Sequence, residues 1–272
     1  MLSINTNLLS LTAQTNISGS QSALSQAINR LSSGKRINTA ADDAAGNAIA
    51  TSQTAMINAL NQGVSNANNA VSMVQTANGA LASTVADLQR IRQLAVQAGD
   101  GSLNSAALSN LDAEVQTRLA DITRIASQTT FNGTAVLSGA STVNFQIGAF
   151  AGQQTALSFG ATVWNSTGLG VNALSVSTAA LAQTAMTSID TALASVNTFQ
   201  ATLGAQQNTI TQAISTTETE STNMSAAESQ ITDANFAQET ANLSKAQVLQ
   251  QAGISVLAQA NSLPQQVLKL LQ

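Results

Sequence analysis

The chain contains no cysteine, no histidine and no tyrosine. A disulfide, a thiolate nucleophile, a Ser–His–Asp triad and a histidine-ligated zinc site are therefore all excluded. Aromatic residues make up 3% of the 272 residues and charged residues 8%, against a usual charged share of about a quarter. There is one proline. Net charge is −4, so nothing in the composition favours a phosphate backbone. No run approaches the roughly 18 apolar residues of a membrane span. The opening MLSINTN lacks both a basic and an apolar region and does not read as a Sec signal peptide. No Gly-rich loop follows a phosphate-binding pattern. These absences leave no catalytic, cofactor or metal site to assign.

What remains is Ala, Val, Leu and Ile, with Ser, Thr, Asn and Gln filling the polar positions. An almost ring-free interior suits thin, closely spaced helices. A polar but uncharged surface lets copies pack without desolvating many charges, each of which would cost several kcal/mol.

Apolar positions step by three and four over long stretches, the signature of helices that bury one face. The longest run is Ile57, Leu60, Val64, Ala67, Val71, Val74, Asn78, Leu81, Val85, Leu88, Arg92, Ala95. It predicts a helix over 44–98, roughly 80 Å long at 1.5 Å per residue. Asn38, Thr39, Asp42 and Asp43 precede it and Gly99-Asp100-Gly101 follows it. Asp42 and Asp43 read as helix-start carboxylates rather than a metal or acid–base pair. Lys35-Arg36 is too short for a nucleic-acid patch and is expected to form a salt link to Asp42, Asp43 or a neighbouring copy.

A second helix is predicted over 105–127, with Leu108, Leu111, Val115, Ile122 and Ile125 on one face. A third spans 179–230, from Ile189 through Ile210 to Ile231. Thr217, Ser221 and Glu228 interrupt its stripe, as positions do that set register or leave room for a partner. At the ends, Ile4, Leu8 and Leu11, then Leu24, Ile28 and Leu31, keep similar steps. So do Ala246, Leu249, Gly253, Val256, Ala260, Leu263, Val267 and Leu270. Between 131 and 173 glycines punctuate the chain. Val143, Phe145 and Ile147 alternate with polar residues, as do Leu157 and Phe159, which predicts one or two β-hairpins joined by AFAGQQ. Four of the six Phe and the sole Trp, Trp164, fall here. The expected fold class is mainly α, a long antiparallel helical bundle or coiled coil with a small β-hairpin region.

Several segments carry a family resemblance. INTN at 4–7 and LSSGKRINTAADDAAGNAIA at 31–50 resemble the N-terminal signature of bacterial flagellin. RIRQLAVQAGDGSLN at 90–104 and RIASQTTFNG at 124–133 are similar to the middle of that family's N-terminal half. ANLSKAQVLQQAGISVLAQANSLPQQVLKLLQ at 241–272 resembles its C-terminal signature. The resemblance implies a short form, with almost no variable outer domain. It implies an inner tube domain from residues 1–40 and 232–272, and a helical bundle domain over 41–231 that holds the hairpin at about 131–173.

It further implies a subunit that self-assembles into the extracellular flagellar filament for motility. Export would run through the flagellar type III channel, with terminal segments that order on assembly. Packing in the filament would use Ile4, Leu8, Leu11, Leu24, Ile28, Leu31, Leu249, Val256, Leu263, Val267 and Leu270. An export chaperone would contact Leu249, Val256, Leu257 and Leu263. The filament cap and hook–filament junction proteins are the other flagellar partners implied. Gln89, Arg90, Leu94, Gln97 and Glu114 would meet a vertebrate Toll-like receptor, with Gln93 standing where many receptor-active members have Glu. The residue-level alternative for this last face is a solvated surface with Arg90 and Glu114 paired. Flagellins are often O-glycosylated on exposed residues, so Ser and Thr in 138–178 are either acceptors or plain solvated loop. Rival functions are a hook–filament junction protein and a surface adhesive or carbohydrate-binding protein built around Trp164. The reading includes no nucleic acid, no membrane insertion and no enzymatic activity.

Overall fold

The computed structural model describes residues 6–139 and 141–270, with side chains described as far as residue 262. The element order is α1 (Leu8–Ser33), α2 (Ala44–Ala98), α3 (Ser105–Gln128), β1 (Thr130–Phe131), β2 (Thr134–Ala135), β3 (Thr142–Gln146), β4 (Gln154–Ser158), α4 (Ala179–Thr232) and α5 (Phe236–Leu270). The chain is mainly α, with two small antiparallel strand pairs, as its periodicity predicts. It divides into a terminal unit, residues 1–55 with 223–272, and a central unit, residues 56–222.

Local chemistry sets the helix ends. Asn7 and Asn104 cap α1 and α3 by accepting from the N–H groups of Ser10 and Ala107. Asn235 does the same for α5 through Gln238 N–H at 3.2 Å. Gly34, at φ 69°, stops α1 in the left-handed conformation that a Cβ disfavours. Of the two early carboxylates only Asp43 caps α2, accepting from Gly46 N–H at 2.9 Å. Asp42 instead closes the preceding turn, accepting from the Asn38 and Thr39 N–H groups and the Thr39 hydroxyl.

Within the helices many hydroxyls bond their own backbone. Thr12 and Thr15 donate to the carbonyls of Leu8 and Leu11, and Thr198, Thr202, Thr216 and Thr219 donate likewise four residues back in α4.

The central unit has a continuous apolar core. Leu88, Ile91 and Leu94 of α2, Val115 and Ile122 of α3, Ile189, Val196 and Leu203 of α4, and Leu157 and Phe159 are each at most 1% exposed. The buried face of α2 differs at one point from the sequence expectation. Ile91 and Leu94 continue it, and Arg92 points outward to pair with Asp190 at 2.7 Å. A step of four from Leu88 reaches Arg92 and a step of three reaches Ile91, and packing selects the second. Ser221 donates to Asn61 Oδ1 at 2.9 Å within the polar stretch of α4.

β3 and β4 pair from Thr142↔Ser158 to Gln146↔Gln154, and β1–β2 closes through Asn132 and Gly133, both at positive φ. Val163 lies outside both pairs. The hairpin is tied to both neighbouring helices. Asn66 donates to Gln146 O at 2.9 Å, and a Cβ on Gly63 would fall 1.8 Å from Ile147 O. Gln206 of α4 brackets Ser158, donating to its carbonyl and accepting from its N–H. Only a glycine at 63 allows that approach.

Candidate assembly surface

In the terminal unit α1 runs antiparallel to α5. Asn7 meets Ala260, Gln21 meets Gln250, and Arg30 meets Glu239. The buried residues of this seam are small: Ala13 and Ala27 of α1, Ala246 and Ala260 of α5. They recur at seven- and fourteen-residue intervals, with Ser20 and Gly253 between them. At Gly253 an added Cβ would come within 2.7 Å of Ile17 Cγ1, so the helices approach closely there.

The expected C-terminal stripe is thus divided by the fold. Ala246, Gly253 and Ala260 face the chain's own α1. Leu249 and Val256 remain 49% and 53% exposed. On α1, Leu8, Leu11 and Ile28 are likewise exposed, and Leu24 and Leu31 half-buried. Leu257 is half-buried. Leu9, Val248 and Ile254, which the stripe did not include, are also exposed. Ile4 and the side chains of Leu263, Val267 and Leu270 lie outside the described residues. Between α1 and α5 a groove of about 730 Å³ is walled by Ala23, Gly19, Leu249 and Val256, with the Arg30–Glu239 pair at one end.

Near the start of α2 the basic pair makes different contacts from those expected. The guanidinium of Arg36 donates to Ile231 O and its backbone N–H to Thr232 O, both at 2.6 Å, and Lys35 bridges Asp233 through the backbone. Asp42 and Asp43 are occupied with backbone donors, so neither takes the salt link. The hydrogen bonds to Asp42, chiefly from Thr39 N–H, hold its carboxyl below the ordinary carboxylate value, with a smaller contribution from Arg30.

On the central unit, Gln89, Arg90 and Gln97 are exposed on α2. Arg90 pairs with Glu114 of α3 at 3.0 Å, and Arg118 joins Glu114 to Asp87. Leu94 departs from this face. It is 1% exposed and part of the core, so its side chain supports the face from beneath. Trp164 is also buried, at 6% exposure. Its ring stacks on Phe199 with centroids 4.2 Å apart, and its N–H points to Phe159 O. The ring offers no open platform for a sugar, which removes the basis of the adhesive reading.

No described helix is long and apolar enough to cross a membrane. Among the described residues no cluster of acidic side chains could hold a metal ion.

A pair of terminal helices that meet through small residues and leave larger apolar side chains exposed suits a class of self-assembling helical subunits. Residues 4–142 match the bacterial flagellin N-terminal helical region and residues 186–271 the bacterial flagellin C-terminal helical region. A flagellin of Xenorhabdus nematophila is 40% identical, over 99% of both chains. A flagellin of Salmonella muenchen is 50% identical over 55% of this chain, a match that spans 30% of that longer protein. The crystal structure of Bacillus cereus flagellin superposes with a TM-score of 0.51 at 29% identity, covering 60% of this chain and 94% of that one. The chain belongs to the bacterial flagellin family.

Proposed function

We infer that this chain is a structural subunit that polymerises with copies of itself into the bacterial flagellar filament outside the cell. The observation that carries this reading is the division of the terminal helices, whose small residues meet within the chain while Leu8, Leu11, Ile28, Leu249 and Val256 stay exposed. Burying one such side chain fully is worth about 1.5–3 kcal/mol, so several per subunit can drive association. Most helical stability comes from packing an apolar face, and the seam of α1 and α5 buries only small residues, so order at the termini gains from neighbours.

The finer assignments follow from the resemblance. Residues 1–40 and 232–272 form the inner tube and 41–231 the bundle domain. The packing set is Leu8, Leu11, Leu24, Ile28, Leu31, Leu249 and Val256, extended by Ile4, Leu263, Val267 and Leu270. An export chaperone covers Leu249, Val256, Leu257 and Leu263 before release, and export follows the flagellar type III route. The cap and the hook–filament junction proteins contact the two ends of the polymer.

The deciding experiment is seeded growth. Purified monomer added to short filament seeds extends them into regular filaments by electron microscopy. Chains lacking 1–33 or 241–272 stay helical and do not extend. Normal growth by either truncated chain would defeat the assembly model.

A receptor-facing surface is a second reading, supported by the exposure of Gln89, Arg90 and Gln97 and by the partial exposure of Glu114. Arg90→Ala is expected to weaken monomer-induced signalling through a vertebrate Toll-like receptor and to leave filament growth intact. Unchanged signalling would return this face to a solvated Arg90–Glu114 pair.

A further inference from the structure

The single proline of the chain, Pro264, lies inside α5. A proline has no backbone N–H, so the carbonyl four residues before it loses its helical donor. That carbonyl belongs to Ala260. A buried backbone acceptor without a partner is costly, and native chains supply one from elsewhere. Here the donor comes from the other end of the sequence. Asn7 Nδ2 lies 2.8 Å from Ala260 O. Ala260 itself is 4% exposed, so the bond forms at the seam.

Asn7 holds two positions at once. Its Oδ1 accepts from Ser10 N–H at 3.2 Å and starts α1, while its amide nitrogen reaches across to α5. Ser, Thr and Asp cap helices about as well. None of them adds an amide donor on the opposite side of the same planar group.

We propose that Asn7, Ala260 and Pro264 form a register latch, in which the proline vacates one carbonyl of α5 and the capping asparagine of α1 occupies it. The need for such a latch lies in the rest of the seam. Alanines and a glycine repeating at sevens present nearly the same surface after a slip of one heptad, and polar pins specify register where apolar packing does not. Arg30–Glu239 pins one end of α1, and the latch pins the other. The latch also couples the two termini. The free carbonyl of α5 is satisfied within the protein only when the N-terminal helix has arrived in one alignment. The inference concerns the same helix pair as the filament reading but does not require that the pair polymerise.

The test uses the full chain carrying Gln21→Cys and Gln250→Cys, the facing pair in mid-seam, in a protein with no other thiol. Intramolecular disulfide formation is followed by non-reducing gel mobility, on monomer and on pelleted polymer. Asn7→Ser keeps the cap and loses the reaching amide, and Asn7→Asp keeps the cap and replaces the donor with an acceptor. With Pro264 present, each is expected to slow cross-linking about fivefold, the scale of one hydrogen bond. With Pro264→Ala, Ala260 O regains a helical donor and the same changes have little effect. Equal slowing in both backgrounds, or none with Pro264 present, overturns the latch. Far-UV circular dichroism on every variant identifies any loss of helix. Seeded growth is scored separately on chains without the cysteines. A chain that cross-links as described but never extends seeds removes the filament reading and keeps the latch.

Discussion

The central unit and the terminal helix pair use their apolar residues in opposite ways. In the central unit leucine, isoleucine and phenylalanine are buried, and polar side chains cover them. In the terminal pair alanines are buried, and Leu8, Leu11, Leu249 and Val256 are exposed, with Leu24, Leu31 and Leu257 half-buried. A core of large side chains stabilises its own chain. A seam of small ones brings two helices close at little gain and reserves the larger apolar area for another contact. Ion pairs do not mark this division, since Arg90–Glu114 and Arg92–Asp190 link helices of the central unit just as Arg30–Glu239 links α1 to α5, and exposed pairs contribute little. The central unit therefore rests on packing, and the terminal unit rests on what it meets.

The largest effect that would test this contrast lies in the core. Leu88→Ala removes a fully buried side chain and is expected to cost about 2–5 kcal/mol in urea unfolding of the monomer. Leu94→Ala belongs with it, since its side chain is equally enclosed. A loss well under about 1 kcal/mol for both would mean that the central unit is packed as loosely as the seam.

Next comes Leu249→Ala, at the 49% exposed ridge of α5. Monomer stability should stay within about 0.5 kcal/mol of the parent. Polymerisation should weaken by about tenfold or more, the equivalent of the 1.5–3 kcal/mol for one buried leucine. A change in monomer unfolding with normal growth would reverse the roles of the two regions.

The smallest effect concerns pH. Asp42 has a folded carboxyl value below its unfolded one, so its contribution is fully present above the unfolded value. It is lost as pH falls through the folded value. Acidification below the usual carboxylate range should speed amide exchange at Asn38 and Thr39, whose N–H groups Asp42 accepts, before the central core responds. Simultaneous loss of both would show that the turn has no independent role.

Much of the fold was legible in the sequence because long helices repeat one signal many times. Residues 44–98 carry eleven consecutive steps of three or four and end at Gly-Asp-Gly, and α2 spans those residues. The phase of the stripe was less secure, since the step from Leu88 can be taken to Ile91 or Arg92. Periodicity assigns a residue to a face but does not say what that face meets. That is why Ala246 and Leu249 read alike in the sequence and separate in the structure. Trp164 and Leu94 were legible as apolar residues but not as enclosed ones, because burial is set by elements from distant parts of the chain, as where Phe199 of α4 stacks on Trp164. The bond from Asn7 to Ala260 had one sequence signal, a lone proline inside a helical pattern. That signal marks a vacant carbonyl without naming its occupant.

The hydroxyls that fold back onto their own helices carry one more consequence. A threonine whose hydroxyl donates to the carbonyl four residues earlier has its one donor committed within its own helix. With only 22 formally charged side chains among 272 residues, the surface offers dissolved ions little to screen. Cohesion between copies then depends on contact area and shape. Charge screening alone should change the growth of such a polymer little, whereas excluded salts such as sulfate should speed it by strengthening apolar burial.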